Sequence, residues 1–333
     1  MATIAALAGV SPPTVSKVLN GRTGVGEGTR QRVEALLRDH GYRRPDPDRT
    51  SQGLEVVFYA MLGSIAVEIL RGVEEVASQS DLTVGFTDVY RRVTAGQPWA
   101  EPLLLRRPTA VIAVFAGFTA ENRELLQASG VPLVAVDPTG DLHTIPSVGS
   151  TNWSGALAAT RHLLDLGHRR IGVITGPVGD LSARARLDGF RAALDAAGVP
   201  GDPQLVRNGL FVFEQGRDLG LELLRLPDRP TAVVCGDDLQ ALGVYEAARL
   251  LGLRVPDDLS VVGFDDVDQC TWSSPPMTTV RQPFAEMSAT AARLALALAA
   301  GEQPAQSRIE LGTSLVVRDS TAPPPASGVR RLP

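Results

Sequence analysis

Cysteine, histidine and long apolar runs are all scarce in this chain of 333 residues. The two cysteines, Cys235 and Cys270, supply neither a disulfide framework nor the paired spacing of a zinc site, and the four histidines also lack metal-ligand spacing. The longest apolar runs, such as residues 54–62, are far shorter than the about 18 residues that a transmembrane helix needs. We therefore expect no disulfide scaffold, no metal centre and no membrane span.

Signatures of catalysis and export are missing as well. The chain contains no phosphate-binding loop, no nucleophile elbow and no zinc-protease motif. Residues 1–10 lack the basic start and the apolar core of a secretory signal. We therefore expect a cytoplasmic protein that has no enzymatic activity and no cofactor.

Lysine is nearly absent, and the single lysine, Lys17, lies in a basic N-terminal segment. Residues 1–44 carry seven basic and three acidic side chains, which gives this segment a net charge of +4. The whole chain has a net charge of −5, so the remaining residues carry −9. A cationic head on an anionic body indicates that the head binds a polyanion and that the body has another role.

The pattern of the N-terminal residues predicts three short helices. The first ends near Leu7, ahead of Gly9, and the third covers residues 27–39 with its apolar residues on one face. The second has Ser11 as its N-cap and runs from Thr14 to Leu19, because two consecutive prolines delay its start. Residues 44–53 contain two prolines and no large apolar residue, which is typical of a linker.

From Leu54 onwards, apolar runs that favour strands alternate with amphipathic helices. The predicted strands are 54–59, 110–115, 132–136, 170–175, 232–235 and 259–264, and the predicted helices are 66–78, 120–128, 155–166, 185–197 and 239–251. Buried strands separated by helices indicate an α/β fold with doubly wound parallel sheets, built from two series over residues 54–148 and 149–276. A strand over 278–281, a helix over 285–300 and a final strand over 307–317 then complete the sheets.

Two N-terminal segments resemble the head of the lac repressor family of bacterial transcription regulators: AGVSPPTVSKVLNG at 8–21 and VGEGTRQRVEALLRDHGY at 25–42. The resemblance continues through VPLVAVD (131–137), HLLDLGHRRIGVITG (162–176), ARLDGF (185–190), GDDLQALGV (236–244), DLSVVGFDD (258–266) and PPMTTVRQP (275–283). It covers about nine tenths of the chain in ordered blocks, so the chain is identified as a member of this family.

The resemblance implies four parts along the chain. These are a helix-turn-helix DNA-binding domain over 1–43, a hinge over 44–53, a sensor of the periplasmic-binding-protein type over 54–320 and a tail over 321–333. It places 54–148 with 278–306 in one sensor subdomain and 149–277 with 307–320 in the other. The implied function is a sequence-specific transcription regulator, expected to be a repressor, whose operator affinity is controlled by a ligand bound between the subdomains.

The second helix of the head is expected to enter the major groove of operator DNA. Pro12 and Pro13 offer only apolar contact, for instance with a thymine methyl group, whereas Lys17 can donate to guanine O6 or N7. The predicted DNA-binding residues are Ser11, Pro12, Pro13, Thr14, Ser16, Lys17, Asn20, Arg22 and Thr29.

The head and hinge depart from the family pattern in two places. Met1 falls inside the usual first helix, and the hinge over 44–53 is several residues shorter than usual. The hinge also contains Pro45 and Pro47 and lacks the leucine that wedges into the minor groove in relatives. We therefore expect this protein to bend its operator less than its relatives do.

The resemblance also nominates an effector site at the carboxyl ends of the sensor strands, where open α/β sheets bind ligands. Its carboxylates can accept from sugar hydroxyls, its arginine can bind two ligand oxygens, and an aromatic ring suits the apolar face of a sugar. The position of Asp237 is often held by Asn in the family, and Asp238 either caps the following helix or contacts ligand. The predicted effector-site residues are Asp137, Ser182, Arg184, Arg186, Phe211, Asp237 and Asp265, with Trp153, Trp272 and Gln282 as additional candidates.

The expected partners are double-stranded operator DNA, a sugar or short oligosaccharide, and a second copy of the chain in a homodimer. The tail has three consecutive prolines and no leucine repeat, so a dimer of dimers is not expected. Two alternatives stay open at this point: a sugar-binding protein without a regulatory role, and a regulator with a purine-type effector.

Overall fold

The computed structural model describes residues 2–19, 24–39, 53–59, 61, 63–115, 120–140 and 145–325. The chain divides into two compact units, Met1–Gln52 and Gly53–Pro333. Asn20, Arg22, most of the predicted hinge and residues 326–333 of the tail lie outside the described residues.

The N-terminal unit forms helices α1 (Ala2–Ala8), α2 (Pro12–Leu19) and α3 (Glu27–Asp39) in its described residues. The bounds of α3 match the prediction. Buried apolar side chains from the three helices pack into a small core that includes Ile4, Val15, Val18, Val33 and Leu37. The 3.6-residue apolar period seen in the sequence therefore faces this core.

Helix α2 begins at Pro12, two residues before the predicted start. The carbonyl of Ser11 accepts hydrogen bonds from the backbone N–H groups of Thr14 (2.9 Å) and Val15 (3.2 Å). Pro12 and Pro13 occupy the first turn, where N–H groups have no partner inside the helix, so their missing donors break no bond. The predicted late start was wrong for this reason.

The second unit is an α/β structure. Its strands are β1 (Gly53–Phe58), β2 (Thr83–Asp88), β3 (Ala110–Val114), β4 (Leu133–Val136), β5 (Ser147–Ser150), β6 (Ile171–Thr175), β7 (Val206–Asn208), β8 (Ala232–Cys235), β9 (Ser260–Asp265), β10 (Thr278–Arg281), β11 (Arg308–Leu311) and β12 (Ser314–Val316). Its helices are α4 (Gly63–Ser78), α5 (Tyr90–Thr94), α6 (Ala100–Leu104), α7 (Ala120–Ala128), α8 (Asn152–Asp165), α9 (Leu181–Ala196), α10 (Phe213–Leu224), α11 (Asp238–Leu250), α12 (Gln269–Trp272) and α13 (Phe284–Ala299).

The strands form two six-stranded sheets. The first sheet has the order β11-β5-β4-β3-β1-β2, and all of its strands are parallel. The second has the order β12-β10-β9-β8-β6-β7, in which only β12 is antiparallel to its neighbour. The central strands are buried on both faces, as their continuous apolar runs require. The predicted α/β class with parallel sheets is confirmed.

Seven of the helices and strands given above for the second unit were not predicted: β2, α5, α6, β5, β7, α10 and α12. Strand β2 lies at a sheet edge and has no fully buried residue, while α5 and α6 have five residues each. Helix α10 contains Gly216 and Gly220, which lower helix propensity. A Cβ on Gly216 would lie 2.1 Å from the carbonyl oxygen of Gln240 in α11. Glycine at this position therefore allows α10 to pack closely against α11, although it lowers the helix propensity of the segment.

The predicted subdomain partition is wrong at its C-terminal end. Residues 278–281 form β10 of the second sheet, not part of the first subdomain, and the predicted strand 307–317 is two strands that belong to different sheets. Strand β11 pairs with β5 in the first sheet, and β12 pairs with β10 in the second. A strand's own pattern does not specify its pairing partner, because pairing depends on residues far away in sequence. Helix α13 packs on the first sheet, as predicted.

The side chain of His168, three residues after α8, bonds to neighbouring elements and not to the end of that helix. Its Nδ1 lies 2.8 Å from Thr231 Oγ1, and its Nε2 lies 3.1 Å from Ser260 Oγ and 2.9 Å from the carbonyl oxygen of Ala322. The ring is buried, so its polar atoms need partners from neighbouring elements rather than from a helix end. His168 therefore fixes the residues after β12 against the second sheet.

Candidate functional site

A cavity of about 700 Å³ lies within the second unit, at the carboxyl ends of strands from both sheets. Tyr59, Phe115 and Asp137 follow β1, β3 and β4 of the first sheet. Asp237, Asp265 and Gln282 line the cavity from the ends of β8, β9 and β10 of the second sheet. The volume is within the range of small-molecule sites, which is about 300–1,000 Å³.

Seven of the ten predicted effector-site residues line this cavity: Asp137, Ser182, Arg186, Phe211, Asp237, Asp265 and Gln282. The other three do not. Arg184 is exposed on α9, because a residue two positions from Arg186 lies on a different helix face. Trp153 is half-exposed in a separate, smaller recess, and Trp272 is 73% exposed on α12.

Arg186 is the most densely bonded side chain of the cavity. Its Nε donates to Asn152 Oδ1 at 2.7 Å, its Nη1 donates to the carbonyl oxygen of Gly236, and its Nη2 lies 3.7 Å from Asp265 Oδ1. The guanidinium carbon lies 3.8 Å from the ring centroid of Phe264 and 5.6 Å from that of Phe211. These contacts hold a buried cation in one orientation.

A short chain of hydrogen bonds joins Asp265 to the first sheet. Gln282 Nε2 donates to Asp265 Oδ1 at 2.6 Å, and Ser150 Oγ donates to Gln282 Oε1 at 2.5 Å. Ser150 ends β5 of the first sheet, while Asp265 ends β9 of the second. The orientation of the Asp265 carboxylate therefore depends on residues of both sheets.

The two neighbouring aspartates at the start of α11 have different roles. Asp237 caps α11, because its Oδ1 accepts from the backbone N–H of Gln240 at 2.7 Å. Asp238 accepts from Thr279 Oγ1 at 2.6 Å and from the backbone N–H of Val267 at 2.9 Å. Asp237, and not Asp238, therefore caps α11. Both residues line the cavity.

Burial shifts the protonation of the cavity carboxyls. It raises the pKa of Asp137 and Asp180, and it raises the pKa of Asp237 with a further contribution from the charge of Asp265. Burial also raises the pKa of Asp238 to about 7 and that of Asp265 to about 6. The nearby guanidinium of Arg186 opposes the shift of Asp265.

The backbone at two of these carboxylates is unusual. Asp137 has φ +45° and Asp265 has φ +116°, both in the region that favours glycine. Residues held there at strand ends are frequent at binding sites, since the surrounding structure compensates for the strain.

An aromatic wall was missed by the sequence analysis. Tyr59, Phe115 and Phe284 line the cavity from the first sheet and α13, and the rings of Phe115 and Phe284 make an edge contact at 6.3 Å between centroids. Asp180, at the N-terminus of α9, was also missed. Tyr59 and Phe115 directly follow buried strands, the same signal that identified Asp137. The cavity thus pairs an apolar wall with a wall of charged groups.

The predicted DNA-binding residues that the structure describes are on or beside α2 and α3 of the N-terminal unit. Val15 and Val18 are buried, whereas Lys17 and Ser11 are exposed. Thr14 Oγ1 lies 2.9 Å from Ser11 Oγ, and Thr29 is half-buried at the start of α3. Pro12, Pro13 and Ser16 also belong to α2. The solvent face of α2 therefore presents a long cationic side chain and a hydroxyl group.

Two physical limits apply to the described part of the chain. No described helix has both the length and the hydrophobicity needed to cross a bilayer. In the same residues, no group of three carboxylate, imidazole or thiol side chains is arranged to hold a metal ion.

Family models match both ends of the chain. Residues 1–45 match the model of bacterial regulatory proteins of the lacI family, and residues 160–321 match that of the periplasmic binding protein-like domain. The HTH-type transcriptional regulator MalR of Streptomyces coelicolor is 36% identical over 338 residues, which cover 98% of this chain and 97% of MalR. The HTH-type transcriptional repressor CytR of Escherichia coli is 31% identical over 326 residues, which cover 96% of each chain.

Solved structures of transcriptional regulators are also similar to this chain over most of its length. The transcriptional regulator CelR in complex with cellobiose has a TM-score of 0.71 and 32% identity, covering 95% of this chain and 98% of that chain. The lac repressor dimer bound to operator and an anti-inducer also has a TM-score of 0.71, with 29% identity and coverage of 96% and 98%.

Proposed function

The chain belongs to the lacI family of bacterial regulatory proteins and is a DNA-binding transcription regulator, and we propose that a sugar bound in the cavity of its second unit controls its affinity for operator DNA. The protein acts as a repressor, and the ligand either relieves or reinforces repression. Both directions require only that the sugar binds one arrangement of the sensor better than the other.

One observation carries this proposal: the cavity joins groups from both sheets around an arginine, several carboxylates and an aromatic wall. Carboxylates and a guanidinium supply acceptors and paired donors for hydroxyl groups, while aromatic rings suit the apolar face of a pyranose. A ligand that touches the strand ends of both sheets stabilises one angle between them. The cellobiose complex of the similar regulator CelR supports the same choice of ligand class.

For the head, we propose that α2 reads the operator, with Lys17 on a base edge and hydroxyl groups on phosphates. A homodimer presents two such heads to a palindromic site. Similarity to the lac repressor dimer on operator DNA supports this assembly. A regulator of this kind acts on chromosomal DNA in the cytoplasm and turns over no substrate, since its pocket groups are explained by ligand binding alone.

A purine or nucleoside effector is a second candidate. The aromatic wall of Tyr59, Phe115 and Phe284 favours it, because flat bases stack on aromatic rings. The relatives include the repressors CytR and PurR at 31% and 30% identity.

Thermal unfolding against a panel of sugars and nucleosides tests the proposal. A ligand present at 100 times its dissociation constant adds about 2.7 kcal/mol to stability. We expect a sugar to raise the melting temperature and the same sugar to change operator affinity in a band-shift titration. If nucleosides alone produce both effects, the purine alternative is correct. A ligand that stabilises the protein without changing operator affinity contradicts the regulatory role of the cavity.

A further inference from the structure

The lining of the cavity carries far more negative than positive charge. Five carboxyl groups line it, those of Asp137, Asp180, Asp237, Asp238 and Asp265. Among the lining residues that the structure describes, Arg186 is the only lysine or arginine. The chain segments 116–119 and 141–144, which follow lining residues in sequence, contain no lysine or arginine.

The positive charge of Arg186 is already engaged by the protein. Its guanidinium donates to Asn152 and Gly236, lies 3.7 Å from Asp265 and stacks over Phe264. It therefore balances about one carboxylate, that of Asp265. Burial raises the pKa of the other four carboxyls, which favours their neutral form, and a cation carried by the ligand would stabilise the ionised form instead.

Asp237 keeps one carboxylate oxygen without a donor from the described residues. It is 5% exposed, and its Oδ1 accepts the capping hydrogen bond from Gln240. No described residue donates a hydrogen bond to its Oδ2. By contrast, both carboxylate oxygens of Asp238 are bonded, to Thr279 and to the backbone N–H of Val267.

A bound metal ion does not fit as the missing charge, since no described cluster of three ligating side chains can hold one. A positive charge that pairs with the cavity carboxylates would therefore be carried by an organic ligand. The aromatic residues Tyr59, Phe115 and Phe284 of the lining suit the apolar face of a sugar ring. A ligand that satisfies both walls carries a pyranose and a protonated amine.

We propose that the effector is an amino sugar, free or within a short oligosaccharide, whose ammonium group pairs with the carboxylate of Asp237. This inference rests on the proposed sugar-binding function and specifies its ligand class. Ammonium donates three hydrogen bonds and brings the charge that the hydroxyl of an ordinary sugar lacks.

Matched pairs of sugars that differ only in a hydroxyl or an amine test whether the positive charge of the ligand strengthens binding. We would measure dissociation constants by isothermal titration calorimetry for glucose and glucosamine, for galactose and galactosamine, and for cellobiose and the β-1,4 dimer of glucosamine. The expected result is that, in each pair with measurable binding, the amine binds at least about tenfold tighter. N-acetylation of the same amine, which removes the charge, is expected to abolish this preference.

The variant Asp237→Asn tests the residue. Asn is as good an N-cap as Asp, so α11 keeps its first hydrogen bond while the charge is lost. We expect the preference for the amine to fall about tenfold. Asp268→Asn is the matched control, because Asp268 is exposed and does not line the cavity. The control is expected to keep the full preference.

Three results would overturn the inference. Equal or tighter binding of the neutral sugar overturns the charge requirement, and the proposed function survives if that neutral sugar changes operator affinity. An unchanged preference in Asp237→Asn overturns the assignment to this carboxylate. Absence of binding by every amino sugar overturns the ligand class, and if neutral sugars also fail, the sugar part of the proposed function fails with it.

Discussion

Arg186 shows how one buried side chain can organise a whole binding site. It bonds α8 through Asn152, the end of β8 through Gly236 and the end of β9 through Asp265. A ligand that accepts from its guanidinium is therefore positioned relative to three elements at once. This geometry explains why the segment ARLDGF at 185–190, which contains Arg186, identifies the site in the sequence.

Arg186→Ala is expected to abolish the effect of ligand on operator binding. The variant loses the bidentate donor and leaves Asp265 without its cation, so ligand affinity falls at least about 100-fold, or about 3 kcal/mol. The head is unchanged, so operator affinity without ligand stays within about twofold. Titrating ligand against a fluorescent operator complex measures both quantities. A normal ligand midpoint would refute the assignment of Arg186.

Lys17→Ala is expected to weaken specific operator binding by about 1–3 kcal/mol, which is the range for loss of one base contact. Binding to random DNA falls much less. Arg32→Ala is a suitable control, because Arg32 is an exposed cation of α3 outside the predicted contact set. The control removes the same charge and should affect both DNAs alike. If Lys17→Ala also weakens both DNAs equally, Lys17 contacts only phosphate.

The buried carboxyls predict a stability that falls as pH rises. Burial raises the pKa of Asp238 to about 7 and that of Asp265 to about 6, whereas an ordinary aspartate has a pKa of 3.8. Between about pH 4 and pH 7 the folded state therefore binds more protons than the unfolded state, and the unfolding free energy decreases with pH. Urea denaturation at pH 5 and at pH 8 measures this difference.

Asp238→Asn is expected to reduce that pH dependence, because Asn keeps an acceptor for the N–H of Val267 and does not titrate. The exposed Asp268→Asn variant should keep the wild-type dependence. An identical pH dependence in wild type and Asp238→Asn would contradict the assigned role of burial.

At the scale of elements, close contact between helices determines where glycine occurs. A Cβ on Gly72 of α4 would lie 2.0 Å from the carbonyl oxygen of Ala285 and 2.3 Å from Ser288 Oγ in α13. The two helices therefore pack backbone against backbone on the first sheet. Neither helix can move away without disturbing the core beneath it.

Gly72→Ala is expected to lower the unfolding free energy by about 1–3 kcal/mol, since overpacking forces the helices apart. Gly220→Ala in α10 is the matched control: its Cβ would have Ala247 Cβ as its nearest neighbour at 3.1 Å, a contact that small shifts can relieve. Calorimetric unfolding should therefore show a clearly smaller loss for the control. Equal losses would mean that helix contact is not the cause.

At the scale of the whole molecule, the surface that remains exposed bears on assembly. Helix α13 is largely buried within the second unit, so it offers little surface to a second copy. Val67 of α4 and Phe86 of β2 are each 53% exposed and apolar. These residues are the better candidates for contact with a second copy.

We expect light scattering to give the mass of two chains. Phe86→Glu places a charge on the proposed contact surface and is expected to shift the equilibrium to monomer while the far-ultraviolet circular dichroism is unchanged. Asp195→Asn, at an exposed position of α9 on the second sheet, should stay dimeric. A wild-type mass of one chain or four would contradict the proposed assembly.

Local sequence patterns determined much of this protein. The apolar period of residues 27–39 and the short apolar run of 232–235 each specify an element by themselves, because helix and strand periods are local properties. The strand-end positions of Asp137, Asp237 and Asp265 follow from the same patterns, and the family motifs add Arg186. Seven of the predicted effector-site residues line one cavity in the structure.

Tertiary structure alone decided which strands pair and which side chains meet. Nothing in the local sequence of the strands at 278–281 and 308–311 specifies a sheet, and they belong to different ones. The aromatic wall and the Ser150–Gln282–Asp265 hydrogen bonds join residues that are 17 to 132 positions apart or come from different elements. Pairing and contact depend on how distant segments pack, and a local periodicity carries no information about the distant partner.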